Sequence, residues 1–235
     1  MTAMPKAPDL EPVTDDKTLA ERVYRQLKRA LKSGAFEPGQ RLTNRAVAGA
    51  LDVSMTPARE ALWRLVTEDA LEVAGPKTII VPHLSPKRYE EITAIRLALE
   101  GLAAETAAAA ADAAFIEELE ATHLAFVALR ARRDYRHALQ MNEKFHFTIY
   151  ERADQPRLLA IIDSLWMSIG PSLTMLYPRF DDQEDGIRPH QDVIRGLKAG
   201  DPQRVRAAIE DDIRTGSGKL LPLLQERAEE PPAKS

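Results

Sequence analysis

The sequence predicts a mainly α-helical protein in two parts: a compact N-terminal module that ends in a β-hairpin, and a larger all-helical bundle. Three observations carry this. Alanine-rich amphipathic stretches recur along most of the chain, and aromatic residues make up only 6% of it, which favours helix over strand. The strand-forming runs at 71–73 and 78–81 are confined to the first third and separated by a turn. Charge is also uneven. Residues 17–82 hold 11 Lys/Arg against 7 Asp/Glu, a net of +4 in a chain whose total is −4, so the remainder carries −8. A basic module joined to an acidic one points to a polyanionic partner for the first.

Residues 1–16 are polar, Pro-rich and aperiodic, and are expected to be a disordered tail. A helix is predicted over 18–33, striped by Leu19, Val23, Leu27 and Leu31 and stopped by Gly34. Glu37-Pro38-Gly39 reads as a turn. Thr43 is placed to cap a short helix over 44–51, and Thr56 to cap the next, with Pro57 at its first position. That helix would bury Ala61, Leu62, Leu65 and Val66. The two strands follow around Gly75-Pro76-Lys77, closing a module of residues 17–82.

From 83 to 225 the grammar is helical, with segments expected near 86–111, 112–132, 135–152, 156–169, 186–199 and 202–215. Residues 226–235 are charged and Pro-rich and are expected to fray. The chain has no cysteine, which excludes disulfides and thiolate metal sites. Its N-terminus lacks the apolar centre of a signal peptide, and no stretch approaches the roughly 20 large apolar residues of a membrane span. The expectation is a cytoplasmic protein with no membrane partner.

Helix, helix, tight turn, helix and hairpin is the order of a winged helix-turn-helix, whose third helix enters the DNA major groove. Arg59, in the first turn of that helix, can pair bidentately with guanine, and Thr56 can reach a phosphate or base edge. Arg45 opens the preceding helix, Arg64 follows on the third, and Lys77 sits at the wing tip; these complete the expected DNA contacts. The plain alternatives are a solvated Arg59-Glu60 pair and a polar turn residue at Lys77.

The C-terminal half places polar residues on apolar stripes. Asp212 shares a face with Val205, Ala208, Ile209 and Ile213, and His190 with Ile187, Ile194 and Leu197. Asn142 and His146 lie one turn apart among Ala138, Leu139, Phe145 and Ile149. Arg96 falls among Ile92, Ile95, Leu99 and Leu102. One such residue is usually a satisfied core histidine or a buried ion pair, but five on four helices favour a polar cavity inside the bundle. Two imidazoles, a carboxylate and an amide oxygen make a divalent-metal set suited to zinc or nickel, with manganese a third candidate. Arg96 would add a fork for a small carboxylate effector. His123 and His137 read as helix-surface residues, and His83 as part of the interdomain linker.

The run Pro38-Gly39-Gln40-Arg41-Leu42 followed by Val53-Ser54-Met55-Thr56-Pro57-Ala58-Arg59-Glu60-Ala61-Leu62 resembles the GntR family of bacterial regulators, with its PG-x-RL turn and VSRTPVREAL-like recognition helix. Met55 departs from it, standing where the family usually has Arg. The later half resembles the FCD ligand-binding domain of the family's FadR branch, through Asn142-x3-His146, Phe145-His146 and the later His190. Asp212 stands where that domain usually has a final His, and Asn142 where Asp is more usual. The resemblance implies a homodimeric, ligand-responsive repressor, with no enzymatic activity, that binds a two-fold symmetric operator. A metal-dependent hydrolase and an architectural DNA-binding protein without effector are the competing readings.

Overall fold

The structure is a computed structural model that describes residues 18–75, 78–177 and 186–229. Lys77 and the expected tail at 1–16 lie outside those residues. The first core gathers α1 (Leu19–Lys32), α2 (Asn44–Ala50), α3 (Met55–Thr67) and a three-stranded antiparallel sheet of β1 (Arg41–Leu42), β2 (Glu72–Gly75) and β3 (Thr78–Ile80) in the order β1-β3-β2. The expected hairpin is β2–β3. Strand β1 was not anticipated, because two residues are too few to show a period; it pairs Arg41 with Ile80 and Leu42 with Ile79.

Val23, Leu27 and Leu31 point inward against Ala58, Ala61, Leu62 and Leu65 of α3. Thr18 and Thr43 cap α1 and α2 by accepting from the Glu21 and Ala46 N–H groups. The start of α3 corrects the sequence expectation. Ser54, not Thr56, is the N-cap, and the helix begins at Met55, so Pro57 lies at its third position, where an N–H has no intrahelical partner to lose.

The second part comprises α4 (Pro86–Ala109), α5 (Ala113–Ala131), α6 (Tyr135–Arg152), α7 (Pro156–Leu173) with a 3-10 turn at Thr174–Leu176, α8 (Ile187–Lys198) and α9 (Pro202–Glu229). Helix α9 runs well past the expected stop near 215 and through residues 226–229, which were expected to fray. Leu220, Leu223 and Leu224 pack with Leu84, Tyr89 and Ile92, and this burial outweighs Gly216, Gly218 and an internal Pro222.

Helix α4 also departs from expectation. Its inward face is Tyr89, Ile92, Thr93, Arg96, Glu100, Ala103, Ala104 and Ala107, whereas Ile95 and Leu102 are 39% and 43% exposed. The small face is inward because α4 packs closely on α9: a β-carbon on Gly101 would lie 3.0 Å from Glu210 Oε1. Residues Pro156–Leu176 form a helical stretch long and apolar enough, by length and composition alone, to cross a membrane.

The two cores touch through α1 and α7. Met167 of α7 joins the N-terminal core. A β-carbon on Gly170 would fall 2.2 Å from the Leu31 carbonyl oxygen, so only glycine allows this approach. Gly34, at φ +66, ends α1 against the same turn of α7. At this junction Lys32 Nζ lies 2.8 Å from both Glu143 Oε1 and Asp163 Oδ1, and 3.4 Å from the Phe147 ring centroid. Lys28 holds the other Asp163 oxygen at 2.7 Å.

Candidate functional site

Helices α4, α5, α6, α7 and α9 surround a cavity of about 100 Å³ whose lining includes Tyr89, Arg96, Asn142, His146, Trp166 and Asp212. His146 and Asp212 approach from facing helices, with His146 Nε2 3.2 Å from Asp212 Oδ2. One donor atom each from His146, His190 and Asp212 lie within 4.8 Å of one another. Asn142 lines the same cavity one turn before His146. Of the expected ligand set, three residues therefore converge and the fourth faces the same space.

Hydrogen bonding sets the tautomer of His146. Glu100 is fully buried and accepts from Arg96 Nε at 2.5 Å, Arg96 Nη2 at 3.1 Å, Tyr150 Oη at 2.5 Å and Trp166 Nε1 at 3.0 Å. Burial, then the charge of Glu100, pushes the Tyr150 phenol well above its ordinary pKa, so it remains a donor. The Tyr150 oxygen can then only accept from His146 Nδ1, 3.0 Å away. That leaves an Nε2 lone pair aimed at a carboxylate oxygen. Two acceptors at that distance need a cation between them, either a proton that makes His146 an imidazolium or a metal ion.

His190 is 0% exposed, and neither ring nitrogen has a hydrogen-bond partner. Burial lowers its pKa to about 3, which keeps the ring neutral, the form that ligates metals. The Phe145 ring stacks on it at 3.9 Å. Burial pushes the Asp212 carboxyl up, but its contact with His146 more than offsets this and holds it below the ordinary carboxylate range. Two orphaned, buried imidazole nitrogens beside a carboxylate match the donor chemistry of a divalent cation.

Arg96 requires a correction. It lines the cavity, as expected, but its fork is already closed on Glu100 and its guanidinium lies 4.9 Å from the Trp166 ring centroid. A cation this deep needs a counter-ion, and the residue one turn on supplies it. His123 is the second correction: it is 5% exposed, not on the surface, and its ring centroid lies 5.7 Å from that of His190. The spacing Leu119, His123, Phe126 signalled this buried face. Sequence reasoning also missed Glu100, Tyr150 and Trp166, together with Arg130 and Lys219, which line the cavity.

On the N-terminal module, Arg45, Thr56 and Arg59 are exposed, Thr56 and Arg59 on the outer face of α3. Arg64 is engaged elsewhere. Its guanidinium bonds Glu21 at 2.6 Å and Glu68 at 3.1 Å and lies 3.7 Å from the Tyr24 ring centroid, so it ties α3 to α1.

Residues 19–81 match the family model described as bacterial regulatory proteins, gntR family, and residues 91–215 match that of the FCD domain. The HTH-type transcriptional regulator McbR of Escherichia coli (strain K12) is 32% identical over 194 residues, 82% of this chain and 88% of its own. The probable D-xylose utilization operon transcriptional repressor of Paenarthrobacter nicotinovorans is 26% identical over 192 residues, 82% of this chain and 84% of its own. The solved structure of E. coli McbR/YncC superposes with a TM-score of 0.82 at 29% identity, covering 90% of this chain and 99% of that one. A putative GntR regulator from Rhodococcus sp. RHA1 shares the fold at 0.70, with 18% identity and 86% and 97% coverage. The protein is a DNA-binding transcriptional regulator and not an enzyme, and the chain belongs to the gntR family of bacterial regulatory proteins, with an FCD domain behind its DNA-binding module.

Proposed function

We propose that this regulator is a cytoplasmic, homodimeric repressor that senses a small carboxylic acid through a divalent-metal centre. The observation that carries the reading is the convergence of His146 and Asp212, on the cavity wall, with the two unbonded ring nitrogens of His190, one donor atom of each lying within 4.8 Å of the others. His146, His190 and Asp212, with Asn142 beside them, would hold zinc, nickel or manganese. Such an ion would supply Lewis acidity to bind a carboxylate. Arg96 is closed on Glu100, and Arg130 and Lys219 also line the cavity.

A dimer fits the surface. Helices α4 and α7 pack together, and each leaves large apolar side chains exposed, Ile95 and Leu102 on one and Ile161 on the other. Two winged modules would then read a two-fold symmetric operator, with Arg59 on base edges and Thr56 and Arg45 beside it. Coupling between acid and operator has two routes. One is covalent, from β3 into α4. The other is the Lys32 contact with Glu143 and Phe147, which flank Asn142 and His146 on α6.

The test is a thermal melt of the full chain with a panel of small carboxylic acids, followed by operator affinity with and without any acid that stabilises. A stabilising acid should change operator affinity roughly 5- to 150-fold, and operator should change acid affinity by the same factor. Tight binding of an acid with no effect on the operator contradicts the proposal and favours DNA binding without an effector.

A further inference from the structure

We propose that Met55 reads the 5-methyl group of a thymine in each operator half-site, about two base pairs from the base read by Arg59. This rests on α3 being the recognition helix. Helix α3 buries Pro57, Ala58, Ala61, Leu62 and Leu65, and turns Met55, Thr56, Arg59 and Trp63 to solvent. Met55 is 50% exposed at the very start of the helix, the end that meets base edges in this motif. Met55 and Arg59 stand at i, i+4, so they form one row along the outer face. A rise of about 1.5 Å per residue separates them by roughly 6 Å along the axis, close to two base-pair steps of about 3.4 Å.

The chemistry narrows what Met55 can read. A thioether donates no hydrogen bond, so it cannot hold a phosphate, and it is a poor partner for the polar atoms of guanine, adenine or cytosine. The apolar group on a base edge in the major groove is the thymine methyl. A flexible, polarizable side chain beside a fixed Arg59 contact can settle on that methyl without redirecting the helix.

The experiment uses the full chain and an operator selected from a random duplex pool. Each thymine is replaced in turn by uracil, which lacks only the methyl, and Kd is measured for the parent, Met55→Ala and Arg59→Ala. At one thymine per half-site, uracil should weaken the parent about fourfold, the order expected from one methyl group leaving an apolar contact. The same uracil should leave Met55→Ala unchanged. If every uracil operator affects parent and Met55→Ala alike while Arg59→Ala loses binding, Met55 reads no methyl although the helix is correctly placed. If Arg59→Ala also binds as the parent does, the recognition-helix reading fails and this inference fails with it.

Discussion

His146 Nε2 faces Asp212 Oδ2 at 3.2 Å, and the hydroxyl of Tyr150 on the far side of the ring decides what can lie between them. Because Tyr150 donates to Glu100, it accepts from His146 Nδ1, so Nε2 meets Asp212 either as an imidazolium N–H or through a metal ion. Tyr150→Phe removes that acceptor and frees the tautomer. Metal affinity, measured by competition with a chelator, should fall about 10- to 100-fold while the fold is retained. An unchanged affinity means that Tyr150 does not orient His146 for a metal.

Arg96 and Glu100 act as a unit. Arg96→Ala leaves a buried carboxylate without its main counter-charge, and stability should fall by about 3–5 kcal/mol in a denaturant titration. If Arg96→Ala is as stable as the parent but no longer responds to acid, Arg96 is an effector ligand and not a structural cation.

Lys32 carries the domain junction. Lys32→Met keeps most of the side-chain volume but leaves Glu143 without its cation and Asp163 with Lys28 alone. The loss should be about 3 kcal/mol, the scale of a broken buried pair. Hydrogen exchange should show it opening at the α1–α7 contact before the core of the bundle. Uniform loss of protection through the bundle runs against a local latch.

Acid should destabilise the metal-free protein. His190 has a pKa of about 3 when folded and 6.5 as a free side chain, so below pH 6.5 the unfolded chain takes up a proton that the folded one refuses. Its contribution is complete above pH 6.5 and is lost as pH falls toward 3, approaching about 1.4 kcal/mol per pH unit. The lowered pKa values of His123 and Asp212 act in the same direction. In chelator-treated protein, His190→Asn should flatten the curve of stability against pH across this window; parallel curves would count against a neutral, buried His190.

Most of the architecture was legible because helices of this length carry their own period and caps. Ser85, Asp112 and Asp134 cap α4, α5 and α6 where the sequence placed the starts. Asn142, His146, His190 and Asp212 were readable because each interrupts an apolar stripe. The failures share one cause, which is that local pattern does not show tertiary partners. Ile95 and Leu102 looked like core, yet alanines face α9. Lys32 gives no local sign of its role, because its carboxylates come from Glu143 and Asp163, more than 100 residues on. Arg96 looked like an effector fork, although Glu100 at i+4 was available as the buried partner.

Elemental analysis of natively purified protein tests the central claim most directly. The parent should carry about one divalent ion per chain, and His146→Ala and His190→Ala should each lose it, since each removes one of a small set of donors. A parent free of metal, or full metal content in both variants, would contradict a metal centre at His146, His190 and Asp212.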